Sequence, residues 1–207
     1  MKVKLITVTP DAEQTMLYIA RVSSKNQDSR DLRLLAYCIH HQHWSVFEHA
    51  HMTIEITTSR TIGRQILRHK SFSYSEMSQR YTKSTQFETY EARQSGSKNR
   101  QSSTTPVSKA RAFAFRAIQK MLQAVSNTAY RTASSMGVAD ECARFMLLET
   151  ATTRMYMTGN IRSWIHYIQL RTKEDTQAEH REIAIGIAKI FQEVLPTLSQ
   201  VVISENI

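Results

Sequence analysis

The sequence predicts an α+β fold in which a small, mainly antiparallel sheet is packed by several helices. Apolar residues recur at helical spacing over most of the 207-residue chain, which predicts a majority of helix. Short stretches near the N-terminus and near residue 52 instead alternate apolar and polar residues, as half-buried strands do. Neither a repeat nor a linker interrupts these patterns, so we expect a single domain over residues 1–207.

In the first half of the chain, the patterns predict two strands and three helices. The strands are Val3–Val8 and His51–Thr57, and apolar residues occupy every second position of the latter. Helical spacing follows Asp11, which is placed to cap the first helix, and returns in Leu32–Ile39 and Ile62–Leu67. The polar stretch that comes next has no periodicity, and it contains no glycine or proline that would indicate an ordinary turn.

The second half of the chain is predicted to be mostly helical. The polar segment Gln94–Thr105 is expected to be a loop. A long helical pattern covers Val107–Tyr130, and two shorter ones cover Ala139–Tyr156 and Ile161–Leu170. The last predicted helix carries an apolar stripe within Ile183–Val194, which indicates one buried face.

The composition is typical of a soluble globular protein, and we expect a cytoplasmic one. Hydrophobic residues make up 41% of the chain and charged residues 22%. No apolar run approaches the roughly 18 residues of a membrane helix, and the N-terminus lacks the apolar core of a signal peptide. Cys38 and Cys142 lie in helical patterns without a CxxC motif, so both are expected to be buried structural thiols.

The chain is strongly basic, with 27 Lys and Arg against 18 Asp and Glu and a net charge of +9. A positive field favours polyanions or phosphorylated small molecules, and composition does not separate these two. A basic nucleic-acid-binding protein is therefore one open function, with affinity that should fall steeply with salt. No helix-turn-helix, RNA-recognition or zinc-finger pattern supports that alternative.

The densest polar cluster follows the third predicted helix. It begins with Arg68, His69 and Lys70 and continues through several serines to Glu76 and Arg80. Arginine offers forked donors and serine offers short neutral ones, a combination that suits phosphate. A solvated basic loop would have the same composition.

A second cluster lies further along the chain. Asn160 stands where a helix would begin, and Arg162 and His166 are four residues apart and so share a helix face. Each residue alone fits a cap or a surface charge, but a second arginine-rich cluster makes a shared anionic ligand plausible. The cluster consists of Arg144, Arg154, Asn160, Arg162, His166 and Arg171.

Five histidines lie between residues 40 and 51, but their spacing matches no zinc motif, so we expect no metal site. The chain also lacks a GxGxxG fingerprint, a P-loop and a GxSxG elbow. Neither cysteine has the setting of an activated nucleophile. These absences argue against Rossmann, P-loop and acyl-transfer chemistry.

The run from Arg68 to Tyr81, RHKSFSYSEMSQRY, resembles the signature of flavin-dependent thymidylate synthases. That signature is R-H-R, seven residues, then S, commonly followed by x-R-Y. Lys70 departs from it at the third position, where lysine keeps the charge but loses the forked donors. Ser75 stands where the family often has Asn.

Further blocks strengthen this resemblance and extend it over residues 20–171. Residues 20–23 read ARVS, and residues 43–49 resemble the family's H-x-[ST]-x-F-E-H stretch. Ala143-Arg144, Asn160-x-Arg162-Ser163 and Leu170-Arg171 resemble its C-terminal signature. His166 is a second departure, because members often carry Asn there.

The resemblance implies a homotetramer whose four active sites form at subunit junctions, and it implies the ligands of each site. Residues implied to contact FAD are Ser23, Ser45, Arg68, His69, Lys70, Glu76, Asn160, Arg162 and His166. Residues implied to hold dUMP are Gln65, Arg68, Glu76, Met77, Ser78, Gln79, Arg80, Arg144 and Arg171. NADPH and 5,10-methylenetetrahydrofolate are the implied co-substrates, and we expect no membrane association.

The implied reaction is reductive methylation of dUMP to dTMP, and three residues are expected to carry it. Arg171 would stabilise negative charge at N3 of uracil and the adjacent carbonyl. Ser78 would position the base or phosphate, because no base that could activate it is identifiable. His43 would lie near the approach of folate and nicotinamide. Two alternatives on the same scaffold stay open, a dUMP hydroxymethylase and an inactive relative.

Overall fold

The computed structural model describes residues 1–82, 85–96 and 103–204, and this part has the predicted α+β fold. Its strands are β1 (Lys2–Val8), β2 (His51–Ser59), β3 (Ser73–Glu76), β4 (Arg93–Ser95), β5 (Ser103–Pro106) and β6 (Thr152–Asn160). Its helices are α1 (Ala12–Ala20), α2 (Arg33–His40), α3 (Arg60–Ile66), α4 (Lys109–Ser135), α5 (Asp140–Ala143), α6 (Ile161–Arg171), α7 (Ala178–Val194) and α8 (Pro196–Ser204). Short 3₁₀ turns span Trp44–Glu48 and Arg144–Met146.

Among the described residues, four strands form the main sheet in the order β1-β2-β6-β3. Beside one end of β2, the Ile161 amide donates to the Ala50 carbonyl at 2.9 Å, and at the other end Arg60 donates to Ala151 at 3.0 Å. The start of β2 thus lies beside the end of β6, and the end of β2 lies beside the start of β6. The two strands are therefore antiparallel. The predicted small antiparallel sheet is confirmed.

The predicted helix over Ala139–Tyr156 is wrong in its second half. Helix α5 and the 3₁₀ turn after it end at Met146, and strand β6 begins at Thr152. Thr153, Met155 and Met157 are buried while their neighbours are less so, which is the two-residue period of a strand. Pairing with β2 therefore overrides the apolar spacing that suggested a helix.

Four smaller expectations also need correction. The Gln94–Thr105 segment is not simply a loop, because its ends lie in β4 and β5, which pair antiparallel; residues 97–102 lie outside the described residues. The aperiodic stretch contains β3. Asp11 precedes α1 but has φ 47° and makes no side-chain capping bond. Cys142 is exposed, since short α5 buries Ala143 instead, whereas Cys38 is buried as predicted.

The chain divides into two compact units. Unit 1 consists of Met1–Ile56, Ile66–Ser75 and Met155–Ile207. Its large buried side chains include Phe47, Trp164 and Phe191. The approach of backbone to side chain is close at Gly159, where an added Cβ would lie 2.5 Å from Cδ1 of Phe72. This unit therefore has a well-filled core.

Unit 2 consists of Thr57–Gln65 and Glu76–Arg154. Helix α4 packs against the segment after α5, where the Ser126 hydroxyl donates to the Met146 carbonyl at 2.7 Å. Many large apolar side chains of this unit are exposed: Phe113, Phe115, Ile118, Met121, Leu122, Val125, Met136, Val138, Phe145 and Met146. Throughout the described part of the chain, no helix combines the length and apolarity needed to cross a membrane.

Candidate active site

In unit 1, helix α6 organises four of the predicted site residues. Asn160 has extended backbone angles, and its side-chain oxygen accepts a hydrogen bond from the Ser163 amide at 2.9 Å, which confirms the predicted N-cap. Arg162 forms an ion pair with Glu48, a residue of the F-E-H block. That pair joins the start of α6 to the 3₁₀ turn that follows His43.

The same 3₁₀ turn contacts His166, the residue that stands where family members often carry Asn. The Trp44 ring lies edge-on to the His166 ring, with centroids 4.6 Å apart. Burial, followed by the nearby Arg162 charge, lowers the pKa of His166 below its usual value, so this imidazole is neutral at pH 7. His43 and Ser45 flank Trp44 and are exposed.

The most specific contact in unit 1 joins two residues that lie 102 positions apart. Arg171 Nε donates to His69 Nε2 at 2.9 Å, and both side chains are half-buried. Burial, then the charges of Arg171 and Arg68, lower the pKa of His69 to about 4. Neutral His69 can therefore accept this bond, which leaves the terminal nitrogens of Arg171 without a partner among the described residues.

Three further predicted residues of unit 1 are exposed. Arg68 and Lys70 flank His69 and have no ion-pair partner in the described part of the chain. Ser23 lies in the turn after α1. The amide nitrogen of Asn160 also has no partner among the described residues. These groups are donors and cations, so they suit an anionic ligand.

In unit 2, Glu76 is held at the end of β3. The Thr153 hydroxyl donates to Glu76 Oε1 at 2.7 Å, and Arg60 Nη1 lies 3.4 Å from the same oxygen. Arg60 Nη1 is nevertheless buried without a well-directed hydrogen bond. The carboxylate is therefore oriented by groups from both β6 and α3. Gln65, another predicted residue, is half-buried on α3.

Residues 77–79 of the signature follow β3, and they differ in whether they have hydrogen-bond partners among the described residues. Gln79 is buried, and its Nε2 has no hydrogen-bond partner among the described residues. The Ser78 hydroxyl accepts from the Arg80 amide at 3.2 Å. Met77 is half-buried, and its amide donates to the Arg154 carbonyl at 2.8 Å.

Glu141 brings two predicted substrate residues together within unit 2. Its carboxylate lies 3.2 Å from Arg80 Nη2, and its carbonyl accepts from Arg144 Nε at 3.2 Å. The two arginines thus share one neighbour, and their guanidinium groups are donors that suit a phosphate.

Sequence reasoning missed Tyr167 and His180, which are buried behind His69 in unit 1. The sequence does contain a signal for the burial of His180. This residue lies one turn before Ile183 on the same face of α7 as Ile183 and Ile187, which are buried. In the described residues, no group of three His, Cys, Asp or Glu side chains is arranged to hold a metal ion.

The structural comparison defines the class of fold. The chain superimposes on a UMP/dUMP methylase, PolB from Streptomyces cacaoi bound with 5-Br dUMP, with a TM-score of 0.87. The match covers 98% of this chain and 94% of that one at 22% sequence identity. At this identity the likeness establishes the fold alone.

Sequence comparison then gives the family. The family model described as "Thymidylate synthase complementing protein" matches residues 4–197. The flavin-dependent thymidylate synthase of Synechocystis sp. is 46% identical over 188 residues, which cover 90% of this chain and 87% of the relative. The probable flavin-dependent thymidylate synthase of Paramecium bursaria Chlorella virus 1 is 43% identical, covering 97% and 98%. The chain belongs to the flavin-dependent thymidylate synthase family, a family of methyltransferase enzymes.

Proposed function

We propose that this chain converts dUMP to dTMP by reductive methylation, with 5,10-methylenetetrahydrofolate as carbon donor and NADPH-reduced FAD as hydride donor. Membership of the family supports the reaction, since relatives at 43–46% identity are named flavin-dependent thymidylate synthases. The observation that carries the proposal is the hydrogen bond from Arg171 to neutral His69. It fixes a cation beside a signature residue while leaving the ends of the guanidinium available to a ligand.

The flavin supplies a hydride when bound, and the donors of unit 1 fit its anionic and polar groups. Arg68 and Lys70 would contact its phosphates, because both are exposed and have no ion-pair partner among the described residues. Asn160 would donate its amide nitrogen, since its oxygen already caps α6. The remaining proposed contacts are Ser23, Ser45, His69, Glu76, Arg162 and His166.

Several of the proposed substrate residues lie in unit 2. Unit 2 would supply Arg80 and Arg144 for the phosphate, and the buried free Nε2 of Gln79 for an oxygen acceptor. Glu76, held by Thr153, would act as an oriented acceptor. The other proposed contacts are Gln65, Arg68, Met77, Ser78 and Arg171.

We propose roles in the reaction for three residues. Arg171 would stabilise the negative charge that develops at N3 and the neighbouring carbonyl of uracil. Ser78 would position the substrate, because its hydroxyl contacts the Arg80 amide and not a general base. His43, exposed beside Trp44, would meet the folate and nicotinamide co-substrates.

We also propose that the whole chain works as one domain within a homotetramer. The support is the exposed apolar surface of unit 2, where Phe113 of α4 is 76% exposed and Phe145 is 77% exposed. An isolated monomer rarely leaves such side chains in water, whereas a subunit interface would bury them. A cytoplasmic location remains a prediction from the sequence.

The test is to incubate the purified protein with dUMP, 5,10-methylenetetrahydrofolate, NADPH and FAD, and to identify the nucleotide by mass spectrometry. A product heavier by one methylene supports the proposal. A hydroxymethylated product would instead favour the hydroxymethylase. Unchanged dUMP with flavin bound would indicate an inactive relative. Unchanged dUMP without bound flavin, together with salt-sensitive DNA binding, would favour the nucleic-acid alternative.

A further inference from the structure

A buried pair of side chains lies behind His69 in unit 1. Tyr167 on α6 and His180 in the first turn of α7 are each 1% exposed. The Tyr167 hydroxyl and His180 Nε2 are 3.0 Å apart and share a hydrogen bond. His180 Nδ1 is buried without a partner among the described residues. An aromatic or aliphatic side chain would fill this space without that cost, so the bond to Tyr167 is the feature that histidine provides.

The pair fixes the ring of His69 from one side. The rings of Tyr167 and His69 meet edge to face, with centroids 4.9 Å apart and planes inclined by 75°. The His180 ring lies 6.1 Å from the same imidazole. On the backbone side, the Tyr74 hydroxyl lies 3.0 Å from the His69 carbonyl. The ring of His69 is therefore packed on one side, and its carbonyl is held by a hydrogen bond.

This orientation decides which nitrogen of His69 faces Arg171. Nε2 accepts the bond from Arg171, so the ring proton must be on Nδ1. Burial, then the Arg171 charge, lowers the pKa of His180 to about 3, just as the pKa of His69 is lowered. Both imidazoles are therefore neutral at pH 7, and Arg171 stays a cation whose hydrogen-bond partner among the described residues is a neutral acceptor.

We propose that Tyr167 and His180 are positioning residues for the methylation reaction. By locking the ring of His69, they hold Arg171 through Nε and aim its terminal nitrogens at the uracil ring. Neither residue touches substrate or flavin in this scheme; each acts through His69. The inference rests on the proposed role of Arg171 in stabilising charge at N3.

The alternative is that Tyr167 and His180 merely fill the core. The variant Tyr167→Phe separates the two roles, because it keeps the ring and removes only the hydroxyl. The matched control is Tyr130→Phe in unit 2, where the hydroxyl of another buried tyrosine has no partner among the described residues and no proposed function. A second pair is His180→Gln, whose amide can still accept from Tyr167, and His180→Leu, which cannot.

The readout is the ionisation of bound 5-fluoro-dUMP, followed by fluorine NMR as a function of pH without folate or reductant. A nearby guanidinium stabilises the N3 anion, so the N3 pKa should be lower in the wild-type complex than in the free analogue. We expect Arg171→Ala to remove this difference. Tyr167→Phe and His180→Leu should each remove at least half of it, while Tyr130→Phe and His180→Gln should leave it nearly unchanged.

Steady-state kinetics complete the test. Tyr167→Phe should lower kcat about tenfold while changing the KM for dUMP by less than about threefold, since the lost alignment matters mainly in the transition state. An unchanged N3 pKa in both Tyr167→Phe and His180→Leu, with a clear effect of Arg171→Ala, would overturn the positioning role alone. No effect of Arg171→Ala on the N3 pKa would overturn the proposed role of Arg171, and the inference with it.

Discussion

The two units of the chain treat their apolar residues in opposite ways. In unit 1, the stripe of α7 is buried at Ile183, Ile187 and Phe191, as the sequence pattern predicts. In unit 2, α4 exposes an apolar stripe that includes Ile118 and Val125. Exposed apolar surface costs about 25 cal/mol per Å² relative to burial, so covering this stripe in the proposed homotetramer would stabilise unit 2.

The two units also differ in how many of their buried polar side-chain atoms lack a hydrogen-bond partner. Among the described residues, seven buried side-chain polar atoms of unit 2 have no hydrogen-bond partner, against two in unit 1. Unit 1 holds some of its candidate site residues with internal bonds, such as Arg171 to His69 and Arg162 to Glu48, and leaves Arg68 and Lys70 exposed. Unit 2 leaves groups such as Gln79 Nε2 available. A buried unpaired amide costs stability, which a ligand or a neighbouring subunit would recover.

The largest expected effect comes from making the exposed stripe of α4 polar. The double variant Ile118→Glu, Val125→Glu places two charges two turns apart on this face, which an apolar interface cannot accommodate without a large desolvation cost. We expect light scattering to show dissociation of the proposed tetramer, and we expect thymidylate formation to fall below detection.

The control for that variant is Lys120→Glu, which changes the charge of an exposed residue of the same helix outside the apolar stripe. It should leave both mass and turnover unchanged. A double variant that kept the wild-type mass would contradict the proposed role of α4, and unit 2 would need another explanation for its apolar surface.

The next largest effect is expected from Arg171 of unit 1, whose Nε donates to His69. Arg171→Ala should lower turnover by about 10²–10³-fold, the usual loss when one group that stabilises a developing anion is removed. Flavin absorbance should persist, because Arg171 is not among the proposed flavin contacts. The matched control is Arg33→Ala, which removes a largely exposed arginine of the same unit. Wild-type turnover in Arg171→Ala would refute the proposed mechanism.

The contrast between the units also explains what the sequence predicted of the fold. Patterns were reliable where an element buries one face against its own unit, as for β2, α6 and α7. They failed for residues 147–156, because a strand that pairs with β2 can carry threonines and methionines that also fit a helical spacing. They also missed β3 and β5, whose polar sequences gain strand structure only from pairing with neighbours.

For the candidate site, motif resemblance identified the residues but not their partners. The contact between Arg171 and His69 spans 102 positions, and no local pattern indicates it. Similarly, Arg80 and Arg144 were expected to share a ligand, but Glu141, which joins them, was not singled out. Tyr167 and His180 likewise belong to no motif that the sequence analysis used, and only the folded chain places them beside His69.

A smaller effect tests whether the buried amide of Gln79 in unit 2 binds substrate, with the buried hydroxyl of Tyr130 as the comparison. Gln79→Met keeps the approximate shape and removes the buried amide, so the free energy of unfolding should rise by about 1 kcal/mol. The KM for dUMP should rise about fivefold to tenfold, since a hydrogen bond to the substrate is lost. Tyr130→Phe also removes an unpartnered buried group and should raise stability without changing this KM. Equal KM values for the two variants would remove Gln79 from the substrate site.

The smallest effect compares one helix cap in each unit. Asn160→Ala removes a capping bond that the structure contains and should lower the free energy of unfolding by about 1 kcal/mol, measured by denaturant titration. Ser108 occupies the same position before α4 but makes no capping bond, so Ser108→Ala should cost less than about 0.5 kcal/mol. Equal costs would mean that the capping bond of Asn160 contributes nothing specific.

A conservative variant then separates the two proposed roles of Asn160. Serine also caps helices well, so Asn160→Ser should restore most of the stability that Asn160→Ala loses. It has no amide nitrogen to offer the flavin, so flavin affinity should stay reduced in both variants, as measured by fluorescence titration. If Asn160→Ser restored flavin affinity together with stability, Asn160 would act on the flavin only by fixing the first turn of α6, and the direct contact would be withdrawn.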